Sequence, residues 1–124
     1  MKVLNVLFVC TANVARSPLA AEVFRDLAES DGRYATRSAG TASWATRRLT
    51  TRNLAWADVV VVLESRHRAE IRNLWPDQLS KVRVLGVPDD YDPEDSELRD
   101  LLTEKLNALL AELESPGVRR AYKP

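Results

Sequence analysis

The sequence predicts a single α/β domain built on a four-stranded parallel sheet in the order 2-1-3-4, with helices on both faces. Three observations lead there. Residues 3–9 and 59–63 are continuous β-branched and apolar runs, as strands buried on both faces of a parallel sheet are, whereas a half-exposed strand alternates. Segments of helical period separate the strand-like runs, and strands alternating with helices pair in parallel through right-handed crossovers. At 124 residues the chain suits one core and is too short for two full domains.

From the N-terminus, residues 3–9 form the central strand, interrupted only by Asn5. After Cys10-Thr11-Ala12-Asn13-Val14-Ala15-Arg16, the pair Ser17-Pro18 opens a helix. Proline at the first helical position has the right φ and lacks only an amide that would go unpaired. Leu19, Val23 and Leu27 follow at i, i+4 and i+8, and the helix stops near Gly32. Residues 34–38 read as a second strand, Ala39-Gly40-Thr41 as a turn and 51–56 as a short helix. The third strand is 59–63, followed by a helix over 65–75 that Pro76 limits. Residues 82–85 make the fourth strand, leading into Gly86-Val87-Pro88-Asp89-Asp90-Tyr91-Asp92-Pro93, a loop of turn residues and carboxylates. Over 96–113 the leucines 98, 101, 102, 106, 109, 110 and 113 have helical period, with Glu94, Asp95 and Glu97 at the start to complement the helix dipole. The domain is set at residues 1–114, and 115–124 reads as a frayed basic tail without periodicity.

Lysine and arginine total 18, as do aspartate and glutamate. No global field therefore draws the chain toward nucleic acid or an anionic membrane, and any anion must be captured locally. A lone cysteine excludes an intramolecular disulfide, and one histidine leaves no Cys/His cluster for zinc. A cytoplasmic protein, monomeric or weakly dimeric, without metal or cofactor, is expected. The start has a superficial likeness to a signal peptide before a lipid-modified cysteine, but Asn5 breaks the apolar run and Val9 is not the small residue such a site requires.

Ligands of open α/β sheets bind beyond the carboxyl ends of the strands, where both Cys10 and the Asp89 loop fall. A loop leaving a strand and entering a helix turns its backbone N–H groups inward as an anion-binding nest, and phosphate is the natural guest. A cysteine at its mouth feels the same partial positive charges, which favour the nucleophilic thiolate. Arg16 closes the loop with a planar fork that can pair with two phosphate oxygens. Ser17 is placed to bond the thiolate, and Asn13 to hold the backbone. A lone intracellular cysteine is ordinarily a small buried hydrophobe. Strand, cysteine, five residues, arginine, Ser-Pro and an amphipathic helix together are far more specific.

The segment Val6-Leu7-Phe8-Val9-Cys10-Thr11-Ala12-Asn13-Val14-Ala15-Arg16-Ser17-Pro18 resembles the signature of the low-molecular-weight protein tyrosine phosphatases. Ser38-Ala39-Gly40-Thr41 resembles the family's second-strand turn, Trp44 its aromatic at the pocket rim, and Val87-Pro88-Asp89 its general-acid loop. The resemblance implies hydrolysis of phosphotyrosine, in a protein or a small aryl phosphate, through a phosphocysteine on Cys10. The amides of Thr11, Ala12, Asn13, Val14, Ala15 and Arg16, with the Arg16 side chain, hold the phosphoryl oxygens; Ser17 supports the thiolate. Asp89 protonates the leaving group and then activates water.

Departures accompany the likeness. Ala12 stands where the family commonly has glycine, which is harmless at negative φ and costly otherwise. Ala15 replaces a second cysteine, so no neighbouring thiol shields Cys10 as a disulfide. Asp90 replaces the proline usual after the aspartate, which leaves Asp90 and Asp92 as alternative acids. Trp44 and Tyr91 flank the substrate ring or simply pack. The chain is also shorter than typical members between residues 41 and 57, a region that shapes the pocket mouth. Two other readings stay open: a non-catalytic phosphate or phosphopeptide binder, and an arsenate reductase that borrows an external thiol. A Cys10–His67 hydrolase is disfavoured, because Ser65, Arg66, Arg68 and Glu70 around His67 read as a solvated helix surface.

Overall fold

The computed structural model describes residues 3–14, 16–28, 32–88 and 95–121. Four parallel strands, β1 (Leu4–Cys10), β2 (Tyr34–Gly40), β3 (Val59–Val62) and β4 (Val82–Val84), form one sheet in the order β2-β1-β3-β4. Both the parallel pairing and the order are as the sequence predicts. Helices α1 (Arg16–Leu27), α2 (Thr51–Trp56), α3 (Ser65–Leu74), α4 (Ser96–Glu114) and α5 (Pro116–Ala121) surround it, with a 3-10 turn over Pro76–Lys81.

Strand β1 explains the two-sided core. Its side chains alternate, so Leu4, Val6, Phe8 and Cys10 enter the layer shared with α1 and α4, while Leu7 and Val9 enter the opposite layer with Leu54 of α2 and Ile71 of α3. Each fully buried Leu, Val or Phe contributes ~1.5–3 kcal/mol relative to exposure, and neither face is solvated. In the first layer Phe8 meets Phe24 at 5.6 Å, and Phe24 meets Tyr34 edge-on at 5.2 Å. Asn5 fits this strand because its backbone N–H donates to Asp58 and its side-chain amide donates to the Trp56 carbonyl, tying β1 to the chain entering β3.

Helix α4 buries Leu98, Leu102, Leu106, Leu109 and Leu113. Asp95 is its N-cap, accepting from Glu97 N–H at 2.9 Å, a contact worth ~1 kcal/mol. Helix α1 begins at Arg16 rather than at Ser17-Pro18, and Pro18 still costs nothing because first-turn amides lack intrahelical partners. Pro76 limits α3 as expected, the helix ending at Leu74, and then leads a 3-10 turn, where a proline at the start has the right φ. The C-terminal end differs from expectation. Residues read as part of a frayed tail form α5, and Val118 packs against the first core layer.

Candidate active site

Chain direction gathers the site. Strand β1 delivers Cys10 to the carboxyl edge of the sheet, and α1 starts six residues later, so the chain leaving Cys10 turns tightly over residues 11–14. The turn wraps around the sulfur. Asn13 N–H donates to Cys10 Sγ at 3.3 Å, and Ser17 Oγ lies 3.0 Å from the same sulfur. Asn13 takes φ 56°, the only positive φ of a non-glycine among the described residues. Asparagine tolerates that conformation better than most residues, and its side-chain amide donates to Ser17 Oγ at 2.8 Å. Ala12 therefore carries no left-handed strain, and alanine is harmless there.

A second loop, residues 41–47, fixes the first from outside. Thr41 N–H donates to the Cys10 carbonyl, Ala42 N–H to that of Thr11, and Thr46 N–H to that of Ala12, at 2.9–3.1 Å. Gly40 permits this approach: a Cβ there would fall 2.5 Å from the Thr11 carbonyl oxygen and 2.6 Å from the Ala45 methyl. Trp44, on this second loop, is 71% exposed, and Val14 at the tip of the first is 64% exposed.

Arg16 is buried, and its Nη1 donates both to Glu64 Oε1 and to the Val87 carbonyl at 2.9 Å. The guanidinium thus joins the cysteine loop to the end of β3 and to the segment that runs into Asp89. Burial pushes the pKa of the Glu64 carboxyl up, but the Arg66 hydrogen bond and the charges of Arg16 and Arg66 outweigh it and hold the carboxyl below its ordinary value. Glu64 also pairs with Arg66, so one carboxylate serves two cations.

His67 overturns an expectation. It is fully buried rather than on a solvated surface. Nδ1 accepts from Glu64 N–H at 3.1 Å, which puts the ring proton on Nε2, where it donates to Thr11 Oγ1 at 2.9 Å. It braces the cysteine loop and is no base for Cys10, whose sulfur contacts Ser17 and Asn13. The signal lay in spacing: His67 and Ile71, four apart, share the buried face of α3. Glu64 also escaped the sequence reading, although it directly follows β3 at the ligand-binding edge.

Cys10, Thr11, Ala12, Asn13, Val14, Arg16 and Ser17 thus converge, with Trp44 on the adjoining loop. Ala15, Asp89, Asp90, Tyr91 and Asp92 lie outside the described residues. Among the described residues no group of three or more His, Cys, Asp or Glu is arranged to hold a metal, and no helix is long and apolar enough to cross a membrane.

Comparison with known proteins agrees with this geometry. Residues 5–48 match the family model "Low molecular weight phosphotyrosine protein phosphatase". A stretch of 44 residues is 46% identical to the low molecular weight protein-tyrosine-phosphatase YfkJ of Bacillus subtilis, spanning 33% of this chain and 28% of that one. Over the whole fold, YwlE from Bacillus subtilis superposes with a TM-score of 0.77 at 28% identity, covering 90% of this chain and 99% of YwlE. The low molecular weight protein tyrosine phosphatase SP-PTP from Streptococcus pyogenes gives a TM-score of 0.80 at 22% identity, covering 99% and 100%. Over residues 5–48 the chain is similar to the low molecular weight phosphotyrosine protein phosphatase family, and over nearly its whole length it shares the fold of these solved structures.

Proposed function

We propose that the chain hydrolyses phosphotyrosine or aryl phosphate monoesters through a phosphocysteine. The observation that carries this reading is the sulfur of Cys10, held by one backbone amide and one hydroxyl at the mouth of a loop that runs into a helix N-terminus. In the first step the Cys10 thiolate attacks phosphorus, the P–O bond breaks, and the phenolate leaves with a proton from Asp89. In the second, water attacks phosphorus, its proton passes to Asp89, and the S–P bond breaks to release phosphate and thiolate. Arg16 and the loop amides hold the equatorial oxygens, and Ser17 stabilises the thiolate as a leaving group. Trp44 and Tyr91 flank the substrate ring. The unstrained Ala12 weakens the rival of a non-catalytic binder.

Kinetics against p-nitrophenyl phosphate across pH test this. Cys10→Ser abolishes turnover, and Asp89→Ala slows it and flattens the basic limb. An unaltered Asp89→Ala profile moves the acid to Asp90 or Asp92. Phosphate binding without Cys10-dependent release of nitrophenol identifies a binder, and arsenate reduction dependent on added thiol identifies a reductase.

A second reading has support in one comparison. A YwlE structure named an arginine phosphatase, with phosphorylated active-site serine, shares 27% identity and a TM-score of 0.77. Cleavage of phosphoarginine ahead of phosphotyrosine, at equal concentration, identifies a P–N bond as the target.

A further inference from the structure

We propose that the groove between α1 and the β2 edge binds an acidic segment of the phosphoprotein substrate, beside the phosphate-accepting loop. This rests on the hydrolytic reading above and adds a substrate class to it. The groove has a volume of about 360 Å³ and is lined by Asn13, Arg25, Thr36, Arg37, Thr46 and Arg47 among others, with no carboxylate. One end is the cysteine loop itself, since Asn13 N–H donates to Cys10 Sγ and Thr46 N–H to the Ala12 carbonyl.

Three features make this more than a solvated arginine surface. First, no carboxylate pairs with Arg25, Arg37 or Arg47 among the described residues. The nearest acidic side chains on α1, Glu22 and Asp26, are instead drawn to Arg99 of α4 at 3.8 and 3.4 Å. Second, a neutral partner holds one of the groove's guanidinium groups: Arg25 Nη1 donates to Thr36 Oγ1 at 2.7 Å. Its position is thereby fixed while the charge stays unneutralised, which lowers the entropy lost when an anion arrives. Arg37, in register with Leu7, turns its guanidinium onto the Trp56 ring at 4.2 Å on the opposite side of the sheet, so Arg25 and Arg47 supply the groove's charge. Third, equal numbers of basic and acidic residues in the whole chain mean that this cationic groove arises from local sorting. Arginine forks suit carboxylates bidentately, and a positive groove beside the site raises the encounter rate with acidic partners.

The test compares two tyrosine-phosphorylated peptides, identical except for Asp and Glu or Lys on both sides of the phosphoresidue, with p-nitrophenyl phosphate as reference. At low salt the acidic peptide has a kcat/KM about tenfold above its basic counterpart, and the advantage fades toward unity at about 0.5 M salt. Arg25→Gln/Arg47→Gln removes it, and Arg25→Glu/Arg47→Glu inverts it, read as the ratio of peptide to p-nitrophenyl phosphate kcat/KM. Equal rates on the two peptides, or a preference retained after charge reversal, overturns the proposal while leaving the hydrolytic reading intact. Fluorescence anisotropy of the labelled acidic peptide without phosphate reads the groove independently of turnover. There, saturable binding lost in the Gln variant supports it even when no hydrolysis occurs. Tighter binding of single-stranded DNA than of acidic peptide overturns the choice of partner.

Discussion

Strand β1 and the loop that leaves it are consecutive stretches of one chain, held by opposite means. In β1 the side chains of Leu4, Val6, Leu7, Phe8 and Val9 are fully buried in two apolar layers, and the polar groups are those of the sheet ladder. In the loop the side chains are small, and specific hydrogen bonds do the holding. Asn13, Arg16, Ser17 and His67, the buried polar side chains among the described residues, all belong to the loop or to its support. Buried polar groups cost free energy unless partnered, and satisfied networks specify one arrangement. Packing in the strand sets where the sulfur is; bonding in the loop sets what surrounds it.

Substitutions that separate position from surroundings sharpen this contrast. Cys10→Ser has the largest expected effect, a loss of at least ~10⁴ in turnover, or about 5 kcal/mol at 1.36 kcal/mol per tenfold, with little change in melting temperature. Phe8→Ala does the reverse. It costs ~3–5 kcal/mol of stability by urea titration while activity per folded molecule stays near wild type. Asn13→Ala lies between and affects both readouts. Losing its bond to Ser17 and placing alanine at positive φ costs ~1–3 kcal/mol, with kcat falling more than stability alone explains. Asn13→Gly recovers the backbone part only. If Asn13→Ala melts the protein but leaves kcat untouched, the loop is a piece of core and the contrast fails.

The smallest effect concerns Glu64. Glu64→Gln lowers kcat/KM about tenfold by loosening Arg16, with Cys10 undisturbed. The folded protein holds this carboxyl below its ordinary value, so its ion pairs add stability above the unfolded pKa, and that stability is lost as pH falls through the folded one. Melting curves of wild type and Glu64→Gln should therefore converge as pH drops below about 5 and stay apart at neutrality. A constant gap across that range assigns Glu64 no ionic role.

The elements with long apolar runs or sustained helical period were legible in the sequence. Residues around β1, β3, α1 and α4 announce their burial by composition, and alternation with helices dictates the parallel order. Cys10, Arg16, Ser17 and Asn13 were legible because a strand-loop-helix junction limits what such residues can do. His67 was misread because its immediate neighbours are charged, whereas in a helix the residue four positions away decides the face. Glu64 carries no local signature, since its role comes from Arg16, 48 positions away. Cross-chain ion pairs of that kind are invisible to periodicity. The same holds for the 41–47 loop, whose hydrogen bonds run from backbone to backbone and leave no mark on residue type except Gly40.

That backbone strap makes the amides of Thr41, Ala42 and Thr46 remote gauges of the catalytic cup. Their partners are the outward carbonyls of Cys10, Thr11 and Ala12, so these hydrogens meet solvent deuterium only when the two loops part. An oxyanion that tightens the cup slows all three exchange rates together, though it touches none of them. An anion lodged elsewhere on the surface leaves those clocks unchanged.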